Sequence, residues 1–246
     1  MRVPALQRRL IAAALITAVS LVGCSFMAPA KKPEAGPAGK PDFKTNPPLV
    51  QRFQPPPGQL YDLEATAGSL FGGLLEESWE QAGASLQQLQ TIWQAILPQL
   101  GDRKNAGKAA ESMEKLTAAV EGRQPAAAYQ ALNEFMGSVG DIGQNFKLSP
   151  LSDIIGIGNK LRNVSFYVAK QDWEKANGKA KELTDSWGQM KPSVESVGIL
   201  GDVTRTHSYI RQLQDAVSAE NPGAAEAHIQ SLNDSIGSIR DYYRGK

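Results

Sequence analysis

The chain has 246 residues, with 26 Lys and Arg against 25 Asp and Glu, two histidines and one cysteine. That near-neutral balance excludes a protein that binds nucleic acid through overall basicity. A lone cysteine excludes an intramolecular disulfide, so packing must hold the fold, and two histidines offer little to a metal site.

The N-terminus carries Arg2, Arg8 and Arg9 with no acidic residue nearby, followed by a 13-residue apolar run at 10–22. That run is long enough for a signal h-region and too short for a spanning helix, which needs about 20 residues. It closes on Leu21-Val22-Gly23-Cys24, with a small residue just before the sole cysteine. This stretch resembles the lipobox of bacterial lipoproteins. The resemblance implies a signal peptide at 1–23, cleavage before Cys24 and a diacylglyceryl group on that cysteine. It also implies a lipid-anchored protein on the extracytoplasmic face of the cell membrane, since two or more acyl chains give stable anchoring. Arg8-Arg9 fits a twin-arginine export signal poorly in its flanking residues.

Residues 24–58 follow as a tether. Nine of the fifteen prolines lie in 25–58. Proline lacks a backbone donor and fixes φ, so neither helix nor central strand is expected. Extended polyproline II rises about 3.1 Å per residue, which would let the body stand up to roughly 100 Å from the bilayer. The tether is basic, with Lys31, Lys32, Lys40, Lys44 and Arg52 against Glu34 and Asp42. Signal and tether each carry +3 of the chain's +1, which leaves residues 59–246 at −5. A basic stalk suits an anionic bilayer surface, and the acidic body offers phosphates no basic face.

The body reads as all-α. No segment alternates with period two over a strand's length, whereas apolar residues step by three and four. Trp79 and Trp93 are 14 residues apart, as are Trp173 and Trp187. Fourteen is close to four helical turns, so each pair shares a face. Trp79, Ala82, Leu86, Leu89, Trp93 and Ile96 map at an offset of 94 onto Trp173, Ala176, Ala180, Leu183, Trp187 and Met190. Both segments reach a proline, Pro98 and Pro192, where the helices are expected to stop, and six of the twenty residues of 79–98 are identical in 173–192.

Upstream, Leu60, Leu63, Ala67, Leu70 and Leu74 map onto Ile154, Ile157, Leu161, Val164 and Val168 at the same offset. Downstream the offset becomes 97. Met113, Leu116 and Val120 then match Ile210, Leu213 and Val217, and Pro125 matches Pro222. The sequence thus predicts a tandem duplication of an antiparallel four-helix unit, repeat 1 at 59–143 and repeat 2 at 144–246. Its eight helices are expected at 59–75, 77–98, 104–121, 124–142, 151–170, 172–191, 202–219 and 222–243. Close association of the halves is favoured, because a unit of this size has a limited core.

Asp172-Trp173-Glu174-Lys175-Ala176, then Leu183, Trp187 and the helix bearing His207 resemble the DUF4363 family of small helical proteins of Gram-positive bacteria. The resemblance covers about 172–243 and implies a helical bundle outside the cytoplasm. It carries no known activity and therefore no catalytic residue.

Site chemistry is sparse. His207 and His228 fall at heights differing by roughly 10 Å along a helical hairpin, too far to share a metal. There is no Gly-x-Ser-x-Gly and no Cys/His pair. Gly156-Ile157-Gly158 reads as close backbone packing, and Glu76-Glu77, Asp172 and Glu174 read as charges at helix starts. Asn163-Val164-Ser165 matches a glycosylation sequon, which a bacterial lipobox makes irrelevant. No cofactor, metal or catalytic residue is expected, and the chain reads as non-enzymatic.

The leading expectation is a binding or scaffold module in the cell envelope, tied to the membrane through Cys24. An envelope protein would be its partner, and nucleic acid would not. The alternative is a carrier of a small apolar or amphiphilic ligand, in a cleft between the repeats lined by Trp79, Trp93, Trp173 and Trp187.

Overall fold

The computed structural model describes residues 53–245 except Ser196. The signal 1–23, Cys24 and the tether as far as residue 52 lie outside the described residues. Among those described, all regular structure is helical: α1 (Gly58–Leu75), α2 (Trp79–Ile96), α3 (Arg103–Glu121), α4 (Pro125–Gly143), α5 (Leu151–Ala169), α6 (Trp173–Val194), α7 (Leu200–Ser218) and α8 (Pro222–Arg244). Short 3-10 turns stand at Leu97–Gln99 and Val197–Ile199. The protein is all-α.

Four of the connections are built alike. After α1, α3, α5 and α7 the chain turns back through a single left-handed residue: Glu77, Arg123, Gln171 and Glu220, with φ of 51 to 54°. At each, the following N–H reaches back five residues: Ser78 to Gly73 O, Gln124 to Ala119 O, Asp172 to Tyr167 O and Asn221 to Ala216 O, at 2.8 to 3.0 Å. This is the Schellman closure of a helix C-terminus. The closing residue is also the N-cap of the next helix, so each turn reverses the chain at minimal length. Asp172 and Asn221 accept bonds from the N–H groups of Lys175 and Ala224, satisfying donors that a helix start leaves free. Glu77 and Gln171 are 94 residues apart, and Arg123 and Glu220 are 97 apart. These are the two offsets that relate the halves of the sequence.

Packing follows the apolar stripes. α1 packs on α2 and α4, α2 on α3, and α3 on α4; α5 packs on α6 and α8, α6 on α7, and α7 on α8. Leu60, Leu63, Ala67, Leu70 and Leu74 on α1 are at most 4 % exposed, as are their counterparts Ile154, Ile157, Leu161, Val164 and Val168 on α5. The two groups of helices meet where α5 lies on α4 and α1, and where α8 lies on α1. Their buried side chains form one continuous apolar core.

Three local readings of the sequence change. The helix expected to stop before Pro192 runs on to Val194. A proline in the last turn forfeits one backbone bond, and Glu195 N–H still closes on Lys191 O at 3.0 Å. Pro98 lies in the 3-10 turn beyond α2, which ends at Ile96. Glu76 and Glu77 do not start a helix: Glu76 caps the end of α1 and Glu77 is the left-handed residue.

The joint between α4 and α5 is aromatic. Tyr129 stacks on Phe166 with centroids 4.1 Å apart and planes within 4°, and its hydroxyl donates to Asn163 Oδ1. Burial pushes the Tyr129 hydroxyl up to about 12, against smaller opposing effects from a hydrogen bond with Asn133 and the Arg162 charge. The folded state therefore resists ionisation that the unfolded chain undergoes near 10. This contribution to stability is complete below about pH 10 and is lost as the pH rises from there through about 12. Urea unfolding of Tyr129→Phe beside wild type across that window should show a shallower alkaline loss in the variant. Parallel curves would show that Tyr129 ionises as freely as in a peptide.

Candidate functional site

α1 and α5 meet through a buried ion pair that ordinary stripe reading passes over. Glu64 follows Leu63 at the edge of the α1 stripe, and Arg162 follows Leu161 on α5. Each residue is 5 % exposed. The guanidinium grips the carboxylate at both ends, Nη1 to Oε1 at 2.9 Å and Nη2 to Oε2 at 3.0 Å. Nη2 also donates to Asn159 Oδ1 at 2.6 Å, while Nε has no hydrogen-bond partner.

Gly158 makes room for this. A Cβ there would lie 1.9 Å from Glu64 Oε1, so the carboxylate rests on bare backbone. By the offset of 94, Glu64 corresponds to Gly158 and Gly68 corresponds to Arg162. Where one half carries a charge, the other carries a glycine. The Gly156-Ile157-Gly158 stretch thus provides close approach at Gly158 only, and toward a carboxylate rather than backbone; Gly156 meets nothing within 4 Å.

Beside this pair lies a cleft of about 630 Å³ formed by α1, α5 and α8. Its walls include Phe71, Leu161, Val168, Ile229 and Ile236, all at most 8 % exposed as residues. Glu64 and Arg162 provide its polar element, and Gly68, Gly72 and Gly237 keep it open. Glu76, Gln81, Glu226, Gln230, Asn233 and Arg240 supply further polar lining. The arrangement offers a mixed lining, apolar and polar side chains together, around a neutralised charge pair.

The tryptophans expected to line a cleft between the halves do not line this one. Trp93 and Trp187 are each 1 % exposed. Trp93 meets the Phe135 ring edge-on at 5.5 Å, and Trp187 is buried with its Nε1 lacking a hydrogen-bond partner. Trp79 and Trp173 open α2 and α6, half-buried against the core. The physical reason is topological. α2 packs on α1 and α3, and α6 on α5 and α7, so the shared face of each tryptophan pair turns into its own helix group. Trp79 and Trp93 instead border two grooves between α2 and α3, of about 490 and 360 Å³, on either side of a bond from Gln90 Nε2 to Thr117 Oγ1.

His207 is exposed on α7 and His228 half-buried on α8. Among the described residues no three His, Cys, Asp or Glu side chains come together as a metal site. Asn163 and Ser165 lie inside α5, Asn163 bonded to Tyr129 and to Asn159 O. No described helix is long and apolar enough to cross a membrane. Cys24 lies outside the described residues. Comparison of the chain with protein-family models, curated proteins and solved structures finds no match.

Removing one partner of a buried ion pair leaves the other charge uncompensated. Glu64→Ala should therefore cost about 3–5 kcal/mol, and Glu64→Leu with Arg162→Met should recover most of it. Gly158→Ala should cost a comparable amount, about 3 kcal/mol, by displacing the carboxylate. Gly68→Ala, with open space around its Cβ, should gain about 0.5–1 kcal/mol of helix propensity. Urea midpoints measure all four, and a neutral Gly158→Ala would refute the close approach.

Proposed function

We propose that the protein is a lipid-anchored, extracytoplasmic, non-enzymatic binding module. Its signal is cleaved before Cys24, a proline-rich tether follows, and the body is a tandem duplication of an antiparallel four-helix unit. The left-handed turns repeating at 94 and 97 residues support the duplication, because they recur at non-glycine residues where no composition demands them. The resemblance of Leu21-Val22-Gly23-Cys24 to a lipobox and that of 172–243 to the DUF4363 family support a site of action outside the cytoplasm.

The observation that carries the binding role is the cleft across α1, α5 and α8. Its volume of about 630 Å³ falls within the range of small-molecule sites, about 300–1,000 Å³. A mixed apolar and polar lining around a charge pair suits a small amphiphile, carried in this cleft rather than in a tryptophan-lined one. A scaffold for an envelope protein is the second reading, favoured by the grooves beside Trp79 and Trp93.

Native mass spectrometry of the full chain extracted from membranes distinguishes them. A small bound mass should accompany wild type and be lost on denaturation. It should be absent from Gly68→Trp, whose side chain enters the cleft from a position with open space, while the melting temperature stays near wild type. A clean apo mass for wild type would end the carrier reading and leave the scaffold, to be followed by crosslinking in cells.

A further inference from the structure

The two ends of the helical body differ. One end holds the four tight reversals, and their tips are Glu76-Glu77-Ser78, Gly122-Arg123-Gln124, Lys170-Gln171-Asp172 and Ala219-Glu220-Asn221. None carries a large apolar side chain. The other end holds the start of α1, the end of α8 and the longer connections at 97–102, 144–150 and 195–199.

Contacts tie that second end together. Tyr61 meets Ser149 at 2.7 Å, Arg244 Nη2 donates to Asp62 at 2.6 Å, and the Tyr243 hydroxyl donates to Val194 O at 3.0 Å. A Cβ on Gly198 would lie 2.9 Å from the Tyr242 ring. The exposed large apolar residues found among the described residues are Phe53 at 63 %, Leu148 at 74 %, Leu200 at 51 % and Tyr242 at 42 %. Leu148 adjoins Ser149, Leu200 follows the turn that touches Tyr242, and Phe53 lies five residues before the start of α1. All four belong to the end at which the chain enters the body. Scattered exposed apolar residues are ordinary; their confinement to one end is what calls for a physical cause.

We propose that this end is a bilayer-docking face. Leu148 and Leu200, with Tyr242 and the incoming Phe53, enter the head-group region of the membrane to which Cys24 is attached. Three features select a lipid surface over a protein. The apolar groups stand on separate segments rather than along one groove, Leu148 on the connection before α5, Leu200 at the first residue of α7 and Tyr242 in the last turn of α8, which suits a fluid, unstructured partner. Tyrosine, with an apolar ring and a polar tip, favours the membrane–water boundary. Asp62, Glu195 and Asp202 here are each paired with a cation, Arg244, Lys191 and Arg205, while Lys147 stands exposed beside Leu148 and suits an anionic surface. The body then rests on the membrane rather than at the full reach of its tether. The inference rests on the proposed anchor for its membrane, not for its apolar face.

The test uses the full chain isolated from membranes and reconstituted into phosphatidylethanolamine–phosphatidylglycerol vesicles. A fluorophore sensitive to polarity is attached at Leu148→Cys, with Glu220→Cys as the far-end counterpart; an acylated Cys24 leaves no competing thiol. The expected result is a blue shift at 148, with emission lost to nitroxide-labelled lipid, and neither effect at 220. Quenching at neither position, or equally at both, would overturn the docking face. A blue shift at 148 without vesicles would overturn it in favour of a protein contact. The mass of the N-terminal peptide separates the two proposals. An acylated Cys24 with a label in water defeats the docking face alone. An unmodified Cys24 defeats the anchor, and the mature chain carrying Cys24→Ser, labelled at 148 and mixed with the same vesicles, then decides the docking face.

Discussion

A carboxylate and a guanidinium taken out of water together set how the two halves of this protein meet. Desolvating both charges costs several kcal/mol per ion, and mutual attraction repays that only in good geometry. Here the geometry is bidentate, and it exists in one register, with Glu64 over the bare backbone of Gly158. Sliding α1 along α5 by a turn would bury both charges unpaired. The pair thus specifies an arrangement more than it adds stability. α1 and α5 each touch both helix groups, so fixing that crossing fixes the remaining helices, which follow their partners through minimal reversals.

The cleft is a consequence of the same crossing. α8 lies on both α1 and α5, and three helices that converge at a charge pair flanked by glycines leave volume between them. A well-filled helix junction would close it with side chains at positions 68, 72 and 237. Their absence gives the proposed amphiphile both apolar and polar surface to meet. The cleft stands apart from Trp93 and Trp187, the largest fully buried side chains of the continuous core.

The proposed docking end and the cleft use different parts of the body. The exposed apolar tips stand where the chain enters, among the longer connections, while the tight reversals at the opposite end are polar. Such a division lets one end deal with lipid while the cleft, alongside the helices, remains available to its ligand. A body resting on the bilayer would also reach an amphiphile at its source more readily than one held at the end of an extended stalk.

The sequence by itself determined the helical class, the positions of the helices to within three residues at either end, and the stripes that become core. These depend on local periodicity, and Leu60, Trp93, Trp187 and Leu213 are buried because the period places each on the apolar face of its helix. Local limits less dependent on periodicity, such as the run of α6 through Pro192, needed the actual hydrogen bonds. The left-handed turns at Glu77, Arg123, Gln171 and Glu220 carried no glycine to announce them. The ion pair was hidden because Glu64 and Arg162 lie 98 residues apart and each reads as the polar edge of its own stripe. One signal was present: at the offset of 94 each charge faces a glycine in the other half. Only tertiary structure decided that α1 and α5 would cross there, that a cleft would open beside them, and that the tryptophans would turn away from it. Which face of one helix meets another is set by the summed packing of distant segments, and no local spacing encodes that sum.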